Sequence, residues 1–141
     1  MKVFLGGTRN ESTWRNQFIP MLTIRYFNPV VDDWTEDCMK QEFFERANCD
    51  FCLYTITPKM TGTYAIAEVV DDSNKRPEKT VLVLLRDDAD LRFNKGQWKS
   101  LGAVAKMVNF NGGKVFDNLK GAAIYLNEPI WVAPRGKLTG K

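Results

Sequence analysis

The stretch "CDFCLYTITPKMTGTYAIAEVVDDSNK", residues 49–75, decides how the fold is read. Residues 49–56 are an almost continuous apolar run, as expected of a strand buried on both faces of a parallel sheet. Pro58 and Gly62 then break the chain direction. Ile66, Val69 and Val70 follow at spacings of three and four, which predicts a helix over 63–74 with one apolar face. A second continuous run, "KTVLVLL" (79–85), comes a few residues later. Strand, turn, helix and strand in that order form a crossover unit with parallel strands.

The same alternation extends outward in both directions. "KVFLGG" (2–7), "IRYFNPVV" (24–31) and the weaker "GGKVF" (112–116) read as further strands. Helices are predicted over 12–22, with Ser12 or Thr13 as N-cap, over 35–47 with Thr35 as N-cap, over 96–111 and over 117–127. The Gly112–Gly113 pair stops the fourth helix. The pattern predicts one α/β domain over 1–127. Its flavodoxin-like, doubly wound sheet would have about five parallel strands in the order 2-1-3-4-5, with helices on both faces. The charged stretch "RDDADLRFNKG" (86–96) reads as a mobile loop. Residues 128–141 read as an extended tail whose Trp131 and Val132 pack on a neighbour or another subunit.

Composition narrows the chemistry. The chain has 141 residues, 44% of them hydrophobic and 12% aromatic, enough for a substantial core. Its formal charge of +3 is too small to argue for nucleic acid, and no apolar run is long enough for a membrane span. There is no histidine, so Ser-His, Cys-His and His-ligated metal chemistry are excluded. "CDFC" lacks a second pair, which speaks against zinc, and neither a metal nor an organic cofactor is expected. The odd count of three cysteines, Cys38, Cys49 and Cys52, suggests reduced thiols and a cytoplasmic setting. The opening "MKVFLGG" is too short for a signal peptide.

Ligands of open parallel sheets sit beyond the carboxyl ends of the strands. Three loops are predicted there. "GGTRNEST" (6–13) brings Gly6, Gly7 and Thr8, whose backbone can approach a ligand closely. "NPVVDDW" (28–34) brings Asp33 and Trp34, an acceptor beside an aromatic surface suited to a nucleobase. "TPKMTGT" (57–63) brings Thr61 and Gly62 and leads into the helix that carries Tyr64 and Glu68. Each also has a plain structural reading as a tight turn or a packed aromatic. Periodicity sets Glu68 nearly opposite the apolar face, as for a solvated charge. The small neighbours Ala65 and Ala67, and Tyr64 one turn earlier, instead leave room for a ligand.

"KVFLGGTRNESTWRNQFIP", "KQEFFERANCDFCLYTITPKMTGTYAIAE" and "KTVLVLL" together resemble the nucleoside 2-deoxyribosyltransferase superfamily, which includes the deoxynucleoside 5'-monophosphate N-glycosidases. The likeness spans about residues 2–127. It implies Glu68 as the nucleophile and Glu42, eight residues ahead of Asp50, as the second acidic residue, where better-known members carry Asp. It implies that Thr61 and Thr63 stand where transferases offer an Asp, and that Ser100 reaches a neighbouring subunit's site. It further implies a nucleoside or nucleotide substrate and a homo-oligomer. Two other readings stay open: an NAD-cleaving domain of the Toll/interleukin-receptor type, and a nucleotide-binding module without turnover.

Overall fold

The computed structural model describes residues 1–9 and 11–128. Strand β1 (Lys2–Gly7) leads through helix α1 (Trp14–Phe18) to β2 (Arg25–Phe27). Helix α2 (Glu36–Asn48), β3 (Phe51–Ile56), α3 (Tyr64–Lys75) and β4 (Thr80–Leu84) follow. A short hairpin, β5 (Asp87–Asp88) and β6 (Leu91–Arg92), precedes α4 (Lys95–Phe110), β7 (Lys114–Phe116) and α5 (Leu119–Asn127). The main sheet has five parallel strands in the order β2-β1-β3-β4-β7. Leaving the hairpin aside, this is the expected 2-1-3-4-5 sheet, an α/β fold of the flavodoxin-like, doubly wound kind.

The continuous apolar runs are explained by burial on both faces. Val3, Leu5, Phe51, Leu53, Val81 and Val83 point to the side covered by α1 and α5, against Trp14, Phe18 and Leu126. Their alternates Phe4, Cys52, Tyr54, Ile56, Leu82 and Leu84 point to the opposite side, against Val69 of α3 and Leu101 and Val108 of α4. Every residue of β3 and β4 is buried. A single period-2 alternation is therefore absent, as physics requires of the centre of such a sheet.

Helix α2 differs from the others. None of its 13 residues is buried, and Phe43 and Phe44 are 54% and 62% exposed. Its first turn is capped as expected, with Thr35 Oγ1 accepting from the Cys38 N–H at 3.1 Å. Polar contacts tether it: Lys2 Nζ to Glu45 at 2.8 Å and Arg46 to Asp72 at 2.9 Å.

Three local expectations are corrected. The first helix is shorter than 12–22, because Pro20 converts its end into a 3₁₀ turn, Ile19–Met21. The Thr13 side chain makes no capping bond; the Ser12 hydroxyl accepts from the Trp14 N–H at 3.5 Å while donating to Asp88 at 2.6 Å. The stretch read as a mobile loop, 86–96, contains the β5–β6 hairpin, closed by Arg92 on Asp87 at 2.8 Å. Asp88 anchors it by accepting from the hydroxyls of both Ser12 and Thr57 at 2.6 Å, and Phe93 is buried behind it. Alternating charge disguised an ordered element. Residues 129–141, including Trp131 and Val132 and nearly all of the expected tail, lie outside the described residues.

Candidate active site

The carboxyl ends of β1 and β3 open into a cavity of about 570 Å³, a size suited to a small organic ligand. The loop after β1 supplies Gly7, Thr8 and Arg9. Trp34 precedes α2, which adds Met39, Glu42 and Phe43. The turn after β3 adds Met60, Thr61 and Gly62, and α3 adds Tyr64, Ala65 and Glu68.

Gly7 and Thr8, at the end of β1, are tightly held. Gly7 sits at φ 112°, and a Cβ there would run into the Thr55 carbonyl oxygen, so only glycine fits. The Thr8 N–H donates to Thr55 O at 2.8 Å, and the Thr8 hydroxyl accepts from Thr57 N–H at 3.0 Å. The Thr8 carbonyl accepts from Trp14 Nε1 at 2.8 Å and from Arg15 at 2.7 Å. Arg15 also donates twice to the Leu5 carbonyl. This clamp fixes Arg9 at the cavity wall. Its guanidinium lies 5.7 Å from the Trp34 ring centroid and donates to Glu42 at 3.3 Å.

Glu68 is not the solvated charge that periodicity suggests. Its side chain is only 11% exposed and lies 3.8 Å from Arg46. Burial pushes its pKa up to about 7. Arg46 opposes that shift, while Glu42 and Asp72 add to it. A carboxyl in this position exchanges its proton near neutral pH, which suits acid–base or nucleophilic work. Glu68 also borders a second, smaller pocket of about 290 Å³ with Arg46, Ala67 and Asp71. It thus stands between two openings.

Beneath it lies a buried polar cluster. Asp72, one turn further along α3, is fully buried. It accepts from the Tyr54 hydroxyl at 2.5 Å, from Arg46 at 2.9 Å and from Arg76 at 2.7 Å. Burial alone lowers the proton affinity of Arg46. The hydrogen bond to Asp72 and the charges of Asp72 and Glu68 outweigh it and hold the guanidinium firmly charged. Burial and the neighbouring Cys52 and Asp72 push the Tyr54 phenol far up, so it remains a donor. The thiols are poor nucleophiles: burial raises Cys49 to about 11 and Cys52 to about 12.

Of the residues singled out in the sequence, Gly7, Thr8, Trp34, Glu42, Thr61, Gly62, Tyr64 and Glu68 line the one cavity. Gly6, Asp33 and Ser100 do not. Gly6 faces the core, where a Cβ would meet the Tyr54 ring at 2.7 Å. Asp33 offers its carbonyl to the Cys38 thiol at 3.8 Å, and Ser100 is exposed on α4. The sequence reading missed Arg9, Met39, Phe43, Arg46 and Asp72. Arg9 lies in the same loop as Gly7 and Thr8 and carries no local signal that sets it apart from a solvated arginine. Asp72 looked like half of a surface Asp-Asp pair, although it stands one turn past Glu68 and three residues past the core-facing Val69.

The family model described as nucleoside 2-deoxyribosyltransferase like matches residues 1–88. The chain belongs to the nucleoside 2-deoxyribosyltransferase-like family. The matched segment contains both Glu42 and Glu68 and the walls of the cavity, and ends before Ser100. Searches among curated proteins and among solved structures found no match. Among the described residues, no helix is long and apolar enough to cross a membrane.

Proposed function

We propose that this family member cleaves the N-glycosidic bond of a nucleoside or nucleotide, deoxy or ribo, and passes the sugar to a second base or to water. The reading is carried by one observation: two carboxyl groups from different helices, Glu42 and Glu68, line the same ligand-sized cavity, and the Glu68 side chain is only 11% exposed.

In this reading an ionised Glu68 oxygen attacks the anomeric carbon. The carbon–nitrogen bond breaks, its electron pair goes to the base nitrogen, and the Glu42 carboxyl supplies the proton. A second base or a water, its proton taken by the now ionised Glu42, then attacks the same carbon and releases Glu68. The charge that develops on the sugar ring is stabilised by the carboxylate beside it. Trp34, Met39 and Phe43 give the base an apolar, stackable surface. Arg9 is placed for an anionic group of the substrate, while Thr61 and the Gly62 backbone face the sugar. Self-association belongs to the same reading, supported by the exposed aromatics Trp34 and Phe43 at the cavity rim and Phe44 beside them. Light scattering of the full chain tests it.

A second assignment of roles has an observation of its own. Glu68 holds its proton up to about pH 7, as suits an acid, while Glu42 is paired with Arg9, as suits a carboxylate nucleophile. Chromatography of released base across the four deoxynucleosides and their 5'-monophosphates tests the activity. The pH profile separates the assignments: kcat/KM rises through about pH 7 if Glu68 is the nucleophile and falls through it if Glu68 is the acid. Absence of released base from every nucleoside and nucleotide, and of nicotinamide from NAD, would leave a ligand-binding module.

A further inference from the structure

Three carboxylates compete for one guanidinium beneath the cavity. Arg46 lies 2.9 Å from Asp72, 3.5 Å from Asp71 and 3.8 Å from Glu68. Asp72 has the strongest hold. It is fully buried, where charge interactions are least screened, and it takes two hydrogen bonds from Arg46, through Nε at 3.3 Å and Nη2 at 2.9 Å. Glu68 receives only the longer contact to its side chain, although its backbone carbonyl also accepts from Arg46 Nη2 at 3.4 Å. Asp72 is itself steadied from the far side by Arg76 and by the Tyr54 hydroxyl.

We propose that Asp72 is a positioning residue that holds Arg46 partly away from Glu68 and thereby sets how far the Glu68 carboxylate is neutralised. The inference rests on the functional reading above only for its consequence in catalysis. The electrostatic claim itself concerns groups already in place. The groups facing Glu68 are Arg46 and Glu42 from α2, Asp71, Asp72 and Tyr64 from α3, and Arg9 from the loop after β1. Arg46 and Arg9 favour the carboxylate, whereas Glu42 and Asp72 disfavour it. If Arg46 were free to close on Glu68, the carboxylate would be favoured well below neutrality. With Arg46 drawn down by Asp72, protonation stays within reach at neutral pH, where either role of Glu68 needs it.

The test is a titration of the Glu68 side-chain carboxyl by carbon-13 NMR in the full chain without substrate. The variants are R46Q, D72N and the double variant. R46Q is expected to raise the Glu68 midpoint, and D72N to lower it, each by on the order of one pH unit, a tenfold change in acidity. In the R46Q background, D72N should keep only the smaller fall that loss of Asp72's own charge produces, since its route through Arg46 is gone. General loosening around Glu68 would instead lower the midpoint in both backgrounds alike, and that result overturns the proposal. So does an R46Q midpoint that falls or stays unchanged. If D72N does not fold, R76Q takes its place. It leaves Arg46 as the only guanidinium on Asp72 and should raise the Glu68 midpoint, and no change or a fall overturns the proposal. Base release is scored separately. Shifted midpoints in a protein that releases no base would sink the functional reading alone. Unshifted midpoints in an active enzyme would sink this one alone.

Discussion

The two helices that face each other across the cavity are built on different principles. Helix α3 buries Val69, Asp72 and Ser73 and is fastened to the sheet by the Tyr54–Asp72 hydrogen bond. No residue of helix α2 is fully buried, and the helix is held by ion pairs from Glu45 and Arg46 near its C-terminal end. Each contributes one carboxyl group. The difference teaches that Glu68 stands over a buried polar anchor, Asp72, while Glu42 stands on a helix held by side-chain ion pairs rather than by core packing. In the proposed reaction, a firmly supported Glu68 opposite a less buried wall that takes the base would suit acceptance of more than one base.

The largest test of that contrast is catalytic. Glu68→Gln should lower base release by on the order of 10⁴-fold. Glu42→Gln should lower it by about 10²–10³-fold, with part of the loss restored for substrates whose base is a good leaving group. Equal losses on all substrates would erase the distinction between the two walls.

A stability comparison comes next. Val69→Ala, in the core under α3, should cost roughly 1–3 kcal/mol, whereas Phe44→Ser on α2 should stay within about 0.5 kcal/mol in the monomer. Chemical denaturation measures both. A large loss from Phe44→Ser would show that α2 is packed against a partner in solution.

The pH dependence of stability gives a smaller effect with a definite sign. The Glu68 pKa is raised in the fold, from an ordinary value of 4.5 to about 7. Between those values the folded protein binds more protons than the unfolded chain, so this group's contribution falls as pH rises and levels off above 7. Glu68→Gln should therefore match wild type near pH 4 and exceed it by ~2 kcal/mol above pH 7. Equal thermal midpoints at pH 8 would mean that Glu68 is solvated after all. The smallest expected effect is that of Phe43→Ala, which should raise KM about threefold with kcat little changed, as for uniform binding of a base.

These contrasts also mark what the sequence disclosed. The sheet was readable because β1, β3 and β4 are buried on both faces and so must be continuously apolar, and because each following helix carries its own period. The position of Glu68 was readable from the turn at Gly62 and the small residues beside it. Its burial was not, since that comes from α2 folding over it, a contact between segments some twenty residues apart with no local signature. Arg46 and Asp72 stayed hidden for the same reason: a charged residue looks solvated until its partner is known. The β5–β6 hairpin was missed because Asp88 draws its order from Ser12 and Thr57, far away in sequence.

The most direct test of the central claim is to trap the sugar on the protein. The full chain is incubated with a 2-fluoro-2-deoxynucleoside, digested, and the modified peptide is mapped by mass spectrometry. The account predicts one glycosyl adduct on Glu68, absent in Glu68→Gln. An adduct on Glu42 would reverse the two roles. Unimpaired base release by Glu68→Gln, with no adduct on either residue, would contradict the account.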